Sequence, residues 1–239
     1  EMAHGYNGKI LVVDLTAGTH EIKEPGERWY RTYFGGSGII AETLLSEDIS
    51  GVDPLGPENV LILACSVVTG APISGFNRYS VGAKSPLTGG FAETEAAGYW
   101  GPELKFAGYD GVIVKGAASK PVYLWINDEQ VEIRDAADLW GLDNWQTLEK
   151  LQEVTGDKKV RVTSIGPAGE KLIPFACLQN DLEHFNGRTG MGAIMGSKML
   201  KAIAVRGTGK LSFGDPDKVK EIGKWHRERI KEHPPNIGL

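Results

Sequence analysis

The chain is patterned mainly with the short period of β-strands. Its apolar residues fall in short runs, either continuous or alternating with polar residues, and β-branched side chains are frequent in them. Such runs are typical of strands that are buried on one or both faces. The pattern predicts strands at residues 9–15, 20–23, 60–68, 78–84, 91–94, 111–115, 122–126, 130–134, 160–165, 172–178 and 202–205.

Helical patterns are fewer and mostly short. Residues 138–154 form the strongest one, because Leu139 and the apolar residues that follow fall roughly on one face of a helix. Residues 215–233 predict a charged helix that begins at Asp215 or Pro216. Shorter helices are expected after glycine-rich turns, in the stretches 34–45, 95–110 and 190–201.

One glycine-rich stretch, residues 186–207, is the most informative part of the sequence. It reads N-G-R-T-G-M-G-A-I-M-G-S-K-M-L-K-A-I-A-V-R-G, a glycine loop followed by a short helix and a short strand. A helix that opens at such a loop can leave backbone N–H groups free for an anion. Arg188 lies inside the loop, where a guanidinium can clamp a phosphate. Glycines also occur wherever backbones pack closely, so the pattern alone leaves both interpretations open.

Composition sets outer limits on the function. The 239 residues include 32 glycines, about twice the usual share, and the net charge is −5. A negative chain argues against nucleic acid as a partner. No apolar run approaches the ~20 residues of a membrane span, so we expect no membrane partner. A reducing, cytoplasmic location is therefore the expected one.

Only two cysteines are present, Cys65 and Cys177, and each lies in an apolar run. We expect both to be buried structural thiols. Two cysteines cannot ligate an ordinary iron–sulfur cluster, which needs about four thiolates. The five histidines show no metal-binding spacing such as H-E-x-x-H.

Two segments share the same order of features, which suggests an internal duplication. The first, from Val60, runs strand, G-A-P-I-S-G turn, strand, glycine entry, short helix and G-V-I-V-K-G. The second, from Val160, runs strand, G-P-A-G turn, strand, glycine entry, short helix and A-I-A-V-R-G. Arg78 and Arg188 lie near the middle of the two units, although not at equivalent places. Two related glycine loops around a pseudo-twofold axis would suit a ligand with two similar anionic halves.

Five longer motifs follow one another along the chain. They are S-P-L-T-G at 85–89, G-P-E-L-K-F-A-G-Y-D at 101–110, V-E-I-R-D-A at 131–136, S-I-G-P-A-G-E at 164–170 and G-M-G-A-I-M-G-S-K-M-L-K-A-I-A-V at 190–205. Together they resemble the N-terminal domain of the aldehyde:ferredoxin oxidoreductase family, over nearly all of residues 5–210. The resemblance implies an α+β fold with two β-sheets, short helices and an internal duplication.

The resemblance also implies a cofactor and a reaction. The cofactor is a tungsten bis-pyranopterin (tungstopterin, with molybdenum in rare cases), in which a magnesium ion bridges two phosphates. The reaction is oxidation of an aldehyde substrate to a carboxylic acid, with electrons passed to ferredoxin or a similar carrier. In the family, the iron–sulfur cluster and the acid–base groups lie in later domains. We therefore expect residues 1–210 to be the tungstopterin-binding domain and residues 211–239 to begin a helical region of a longer protein.

Carried over residue by residue, the resemblance assigns seven residues to cofactor binding and none to catalysis. Arg78, Gly187 and Arg188 match the family directly. Glu95 replaces an asparagine that helps to hold magnesium, and Ala97 replaces a glycine whose backbone faces the cofactor. The remaining two are His184, which replaces an arginine, and Phe185, which replaces an alanine.

The expected metal ligands are the carboxylate of Glu95 and the backbone carbonyl of Phe185. A carboxylate is a hard oxygen ligand that suits magnesium, although it would repel phosphate without the metal. Each residue also has a plainer interpretation. Without the resemblance, Arg78 would be expected to pair with a surface carboxylate, Glu95 to be a solvated acid and His184 to be a loop residue without a role.

Three functions stay open at this point. The first is aldehyde oxidation by a longer enzyme, of which this chain would be a fragment that is inactive alone. The second is a related enzyme that reduces aromatic thioesters or acts on sugar aldehydes. The third is a non-catalytic pterin-binding module. The expected partners are the remaining domains of the polypeptide and an electron carrier, and a homo-oligomer is left open.

Overall fold

The computed structural model describes residues 4–230 and 232, and its centre is formed by two β-sheets of six strands each. The first sheet consists of β1 (Ile10–Asp14), β2 (Thr19–Lys23), β3 (Leu61–Cys65), β4 (Tyr79–Lys84), β5 (Phe91–Ala96) and β6 (Gly111–Lys115). Its strand order is β2-β1-β6-β3-β4-β5. Only β1 and β6 are parallel, and the other neighbours are antiparallel.

The second sheet is built from the second half of the chain. It consists of β7 (Val122–Asn127), β8 (Gln130–Asp135), β9 (Arg161–Ser164), β10 (Leu178–Asn180), β11 (His184–Asn186) and β12 (Leu200–Arg206). Its order is β8-β7-β12-β9-β10-β11, with β7 and β12 as the parallel pair. Both sheets thus share one topology, which confirms the predicted α+β fold and its duplication. The repeat begins earlier than Val60 and Val160, because β1 and β7 also correspond.

Seven helices of the described residues cover and connect the sheets. They are α1 (Glu27–Tyr33), α2 (Ser37–Ser46), α3 (Trp100–Phe106), α4 (Asn144–Thr155), α5 (Pro167–Glu170), α6 (Met191–Ser197) and α7 (Pro216–Arg229), and a 3-10 turn spans Ala137–Leu139.

The main apolar core lies between the two sheets, and two helices are exchanged across it. The core collects alternate residues of both sheets together with α3 and α6. Helix α3 of the first repeat packs on β9 and β12 of the second sheet, whereas α6 of the second repeat packs on β3 and β4 of the first. The outer face of the first sheet is covered by α1 and α2, and that of the second by α4. Each sheet is therefore buried on both faces.

The helix predicted for residues 138–154 begins later than expected. Gly141 adopts φ 92°, which interrupts the helical path. Asp143 then caps the N-terminus of α4, because its side chain accepts a hydrogen bond from the Gln146 N–H and the Gln146 side chain accepts one from the Asp143 N–H. This capping box fixes the start of the helix at Asn144.

One strand prediction and part of one loop prediction in the second repeat are wrong. Residues 172–178 were expected to be extended, but Leu172 has φ 56° and the Ile173 N–H donates to the Ala168 carbonyl in a turn. The chain becomes extended only at β10. The polar sequence of residues 181–185 predicts a loop, which is confirmed for 181–183, whereas His184 and Phe185 belong to β11. Apolar content predicted the wrong segment here because Leu172 and Phe175 are exposed residues of a turn, not members of a buried strand.

Helix α7 begins as predicted. The Asp215 carboxylate accepts a hydrogen bond from the Lys218 N–H at 2.9 Å, and Pro216 occupies the first turn. Residues 231 and 233–239, which complete the predicted 211–239 region, lie outside the described residues, and the division at residue 210 stays a prediction. None of the described helices is long and apolar enough to cross a membrane.

The two thiols differ in burial. Cys65 is fully buried, as predicted, and its burial raises the pKa of the thiol to about 12. Cys177 is only partly buried, so the prediction of two buried thiols is half correct. Neither cysteine forms a disulfide.

Lys198 at the end of α6 is a buried ammonium without a carboxylate among its hydrogen-bond acceptors. Its side chain has 0% exposure, and Nζ donates to the backbone carbonyls of Asn59, Gly116 and Pro57. Burial lowers the pKa of Lys198 to about 8. These bonds connect α6 of the second repeat to loops of the first.

The pKa of Lys198 predicts a pH-dependent stability. The unfolded chain, with an ordinary lysine pKa of 10.5, binds more protons than the folded chain between about pH 8 and 10.5. Relative to Lys198→Met, the protein should therefore gain up to about 3 kcal/mol of unfolding free energy as the pH rises through this window. Urea denaturation of both proteins from pH 7 to 10.5 measures the difference. Lys210→Met, at an exposed position, controls for the loss of a lysine, and a difference independent of pH would contradict the prediction.

Candidate functional site

A cleft of about 380 Å³ opens where β3 ends, β4 begins and α2 starts. Two backbone contacts hold the start of α2 against the end of β3. The Gly36 N–H donates to the Cys65 carbonyl at 3.1 Å, and Gly35 forms a β-bridge with Ser66. The wall of the cleft includes Gly35, Gly36, Ser66, Arg78, Ser80 and Glu95.

The N-terminus of α2 faces this cleft and favours negative charge. Gly36 is its N-cap and Ser37 its first residue, and both line the cleft. No side chain caps the helix. The first turn of a helix carries a partial positive charge and N–H groups without intrahelical partners. An anionic group in the cleft would therefore be stabilised by α2 as well as by Arg78.

Arg78 and Glu95, two of the predicted site residues, meet in the cleft. The Arg78 Nη1 and the Glu95 Oε2 lie 3.7 Å apart, and their side chains are 60% and 52% exposed. The plainer interpretation, that Arg78 pairs with a surface carboxylate, is thus correct for the structure as it stands. Exposed pairs contribute about 0–1 kcal/mol, so a ligand can displace this one at small cost.

Ala97, Gly98 and His184 lie where β5 of the first sheet meets β11 of the second. Gly98 has φ +94°, and a Cβ atom built on it would lie 3.2 Å from Nδ1 of His184. The Thr94 carbonyl accepts a hydrogen bond from the Asn186 side chain at 3.3 Å. The two strands therefore lie side by side, although they belong to different sheets.

Glu95 and Phe185 occupy equivalent positions in the two repeats. Each is the last residue but one of its strand, β5 or β11, and each pairs with the second residue of the neighbouring strand, β4 or β10. Two residues further along lie Ala97 and Gly187, which are therefore equivalent as well. Four of the seven predicted residues thus form two matched pairs at adjoining strand ends.

The two arginines occupy non-equivalent places in the two repeats, as the sequence predicted. Arg78 directly precedes β4, and its counterpart before β10 is Cys177. Arg188 follows β11 and is exposed, and its counterpart after β5 is Gly98. Neither Gly187 nor Arg188 lines the cleft around Arg78. The two repeats thus have equivalent backbone positions at these strand ends, but the side chains at those positions differ.

Most glycines of the stretch 186–207 serve packing. A Cβ atom at Gly190, Gly192 or Gly196 would lie 2.0, 2.5 or 2.0 Å, respectively, from a backbone carbonyl oxygen. Gly187 is different, because nothing lies within 4 Å of such an atom. The glycines that flank and form α6 are therefore packing residues. Gly187 is not, and the open space beside it leaves its backbone accessible to a ligand.

The prediction that α6 presents free N–H groups is wrong. Its first residues, Met191 and Gly192, are buried, and the Gly192 N–H donates to the Ala176 carbonyl at 2.9 Å. This helix enters the common core because its glycines allow close packing. The helix whose N-terminus faces a cleft is α2. The motif that precedes α2 in the sequence is F-G-G-S-G at residues 34–38, which predicts the start of a helix but not its place at a cleft.

No ready-made metal cluster is present within residues 4–230 and 232, where no three histidine, cysteine, aspartate or glutamate side chains converge. Glu95 and the Phe185 carbonyl could supply only part of a magnesium shell. Magnesium usually binds through one or two carboxylates and completes its octahedron with water and ligand oxygens. The donor set suits a cation that arrives with an anionic ligand.

Comparison with known proteins decides the family. The sequence profile described as aldehyde ferredoxin oxidoreductase, N-terminal domain, matches residues 10–207. The chain belongs to this family. It is 46% identical to the tungsten-containing aldehyde ferredoxin oxidoreductase of Pyrococcus abyssi over 230 residues. The aligned region covers 96% of this chain and 38% of that protein. The chain thus spans about two fifths of the length of such relatives.

A second relative and a solved structure are also similar to the chain. The WOR-like subunit of an aliphatic sulfonate oxidoreductase from Pyrococcus furiosus is 37% identical over 238 residues, covering 92% of this chain and 37% of that protein. A solved structure, the BamBC active-site complex of benzoyl coenzyme A reductase, superposes with a TM-score of 0.94. The sequence identity is 37%, and the superposed region covers 98% of this chain and 36% of the chain in that structure.

The two kinds of glycine predict opposite results for alanine substitution. Gly196→Ala should lower the unfolding free energy by about 1–3 kcal/mol, because the added methyl group would collide with the Gly169 carbonyl. Gly187→Ala should leave stability nearly unchanged, since its surroundings are open. Chemical denaturation of both variants tests this. Equal losses would show that Gly187 is also a packing residue.

Proposed function

We propose that this chain is the cofactor-binding domain of a tungsten (or molybdenum) bis-pyranopterin oxidoreductase. The whole enzyme would oxidise aldehydes to carboxylic acids and pass electrons through an iron–sulfur cluster in its other domains to ferredoxin. The observation that carries the proposal is the pair of equivalent strand ends, after β5 and β11, that adjoin each other and hold four of the seven predicted contact residues. The name of the Pyrococcus abyssi relative supports tungsten.

The residues fit a ligand with two anionic halves. One half would be held by Arg78 and the N-terminus of α2, which converge on one cleft. The other would be held by Arg188 and the open backbone at Gly187. Arginine suits this task, because its planar guanidinium binds phosphate through two hydrogen bonds. When bound, the cofactor supplies two-electron redox chemistry at its metal, and this chain binds and orients it.

Magnesium would be held between the halves by the Glu95 carboxylate and the Phe185 carbonyl. This assignment is supported by the equivalent positions of the two residues, each at the last position but one of the adjoining strands β5 and β11. In the absence of a cation, Glu95 partly neutralises Arg78. A cation would release Arg78 for phosphate by engaging Glu95. Ala97 and His184 lie beside this point and would contact the cofactor from its edge.

A second candidate function is reduction of an aromatic thioester by a related enzyme. It is favoured by the TM-score of 0.94 with the benzoyl coenzyme A reductase complex, at an identity of 37%. The aldehyde reaction is preferred because the Pyrococcus abyssi enzyme is 46% identical. The choice is tested with purified enzyme by offering aldehydes with an oxidised viologen dye, and separately a cyclic dienoyl-CoA with the same dye. The substrate that reduces the dye identifies the reaction.

The metal content of the full-length protein tests the proposal first. We expect about one tungsten or molybdenum per polypeptide after purification without oxygen from cells supplied with both metals. Elemental analysis of the folded protein measures this. Folded protein without either metal would contradict the proposal and favour a non-catalytic module.

Arg188→Ala should weaken cofactor retention far more than folding. The loss of a charge-assisted hydrogen bond typically costs about 1.5–3 kcal/mol, which corresponds to a loss of roughly ten- to a hundredfold in affinity. Tungsten per chain after dialysis is the readout, with the unfolding midpoint as a measure of folding. Arg28→Ala, at an exposed position on α1, is the matched control. Equal retention in the two variants would remove Arg188 from the site.

A further inference from the structure

Tyr79 connects the two repeats at the point where both predicted half-sites begin. Along the chain it directly follows Arg78. Asn186, which it contacts in the second sheet, directly precedes Gly187 and Arg188. The Tyr79 hydroxyl lies 3.0 Å from Asn186 Oδ1. One side-chain contact therefore joins the segments that carry the two arginines.

The contact belongs to a buried polar network. The Tyr79 hydroxyl is also within hydrogen-bond distance of Asn180 Oδ1, and Thr163 Oγ1 lies 3.4 Å away. Asn180 Nδ2 donates to Asn186 Oδ1 at 3.0 Å. A hydroxyl carries one proton, so Tyr79 donates to one amide carbonyl at a time while Thr163 can donate to it. Burial raises the pKa of Tyr79 above its ordinary value, which keeps the hydroxyl a neutral donor.

Asn186 extends the network back to the first sheet. Its Nδ2 donates to the Thr94 carbonyl, next to Glu95, at 3.3 Å. The side chain of Asn186 has 0% exposure and that of Tyr79 has 2%. Buried polar groups are costly unless they are hydrogen-bonded, so the two strand ends are held in one arrangement that satisfies them.

The ring of Tyr79 is itself fixed. It packs against Trp100, with ring centroids 4.6 Å apart. On α3, a Cβ atom at Gly101 would lie 3.1 Å from Tyr79 Cβ. Trp100 in turn donates from Nε1 to the Ile203 carbonyl of β12 at 2.9 Å. Because the ring cannot shift freely, the position of its hydroxyl is determined by the core between the sheets.

We infer that the Tyr79–Asn186 contact sets the spacing between the Arg78 segment and the Gly187–Arg188 segment, and that Tyr79 is thus a positioning residue for a ligand with two anionic halves. The inference rests on the proposed function for its ligand, but the spacing can be measured without one. Tyr79 itself would not touch the reacting atoms.

Tyr79→Phe is the decisive variant, because it keeps the packed ring and removes only the hydroxyl. Its control is Thr147→Val on α4, which removes another buried hydroxyl, bonded to the Asp143 carbonyl at 2.7 Å on the outer side of the second sheet. Both variants should lose similar stability, about 0.5–1.5 kcal/mol per hydrogen bond. Only Tyr79→Phe should alter the spacing.

The spacing is measured with spin labels on cysteines introduced at the exposed positions Ser74 and Glu183. The background is the full-length protein with Cys177 and the other reactive cysteines outside the iron–sulfur ligands replaced by serine. Pulsed dipolar spectroscopy gives the distance distribution. We expect a broader or shifted distribution for Tyr79→Phe and an unchanged one for Thr147→Val. An unchanged distribution in Tyr79→Phe would overturn the inference, whatever ligand the protein holds.

Cofactor retention provides a second, independent readout. Tungsten per chain after dialysis should fall about two- to tenfold in Tyr79→Phe and stay at the parent level in Thr147→Val. Parallel losses in both variants would reduce Tyr79 to a stabilising residue and overturn the inference. A parent protein without tungsten or molybdenum would contradict the proposed function alone, since the distance measurement still decides the role of Tyr79.

Discussion

The common core between the two sheets is the constraint on which the candidate site depends. Each repeat cannot bury its inner face alone, so it packs on the other, and α3 and α6 cross into the opposite repeat to fill the space. This exchange fixes how the sheets lie against each other. It also places β5 beside β11, two strands at sheet edges that would otherwise expose unpaired backbone groups. The strand ends that carry Glu95 and Phe185 adjoin for this reason.

Glycine serves two separate purposes in this arrangement. At Gly192 and Gly196 the absence of a side chain lets α6 approach neighbouring backbone in the core. At Gly36 it permits a positive φ, where the chain turns into α2 at the edge of the cleft. Both regions look alike in the sequence, because glycine content does not show which atoms lie next to each glycine in the fold. Only the packing partners separate a glycine that holds the fold from one that leaves room for a ligand.

The order of elements could be predicted from the sequence, whereas contacts between distant segments could not. The repeated sequence of strand, turn, strand, glycine entry, helix and strand predicted the duplication, because local patterns determine local structure. The capping box at Asp143 and the turn around Leu172 were missed, since apolar periodicity outweighed turn signals there. The Arg78–Glu95 pair and the position of α2 at the cleft depend on pairing across the sheet, which a linear pattern does not contain. The seven site residues came from the resemblance to a family, and they remain predictions.

Duplication gives the site equivalent backbone positions, and divergence has made its two sides chemically unequal. Glu95 on one side corresponds to Phe185 on the other, and Gly98 corresponds to Arg188. The first repeat therefore carries Arg78 and Glu95 and the second carries Arg188, so charged residues are not repeated at matching points. A ligand with two similar halves would meet the same backbone on both sides but a different electrostatic environment on each. Such a site can bind both halves while holding them in one orientation, because exchanging them would exchange their charged partners.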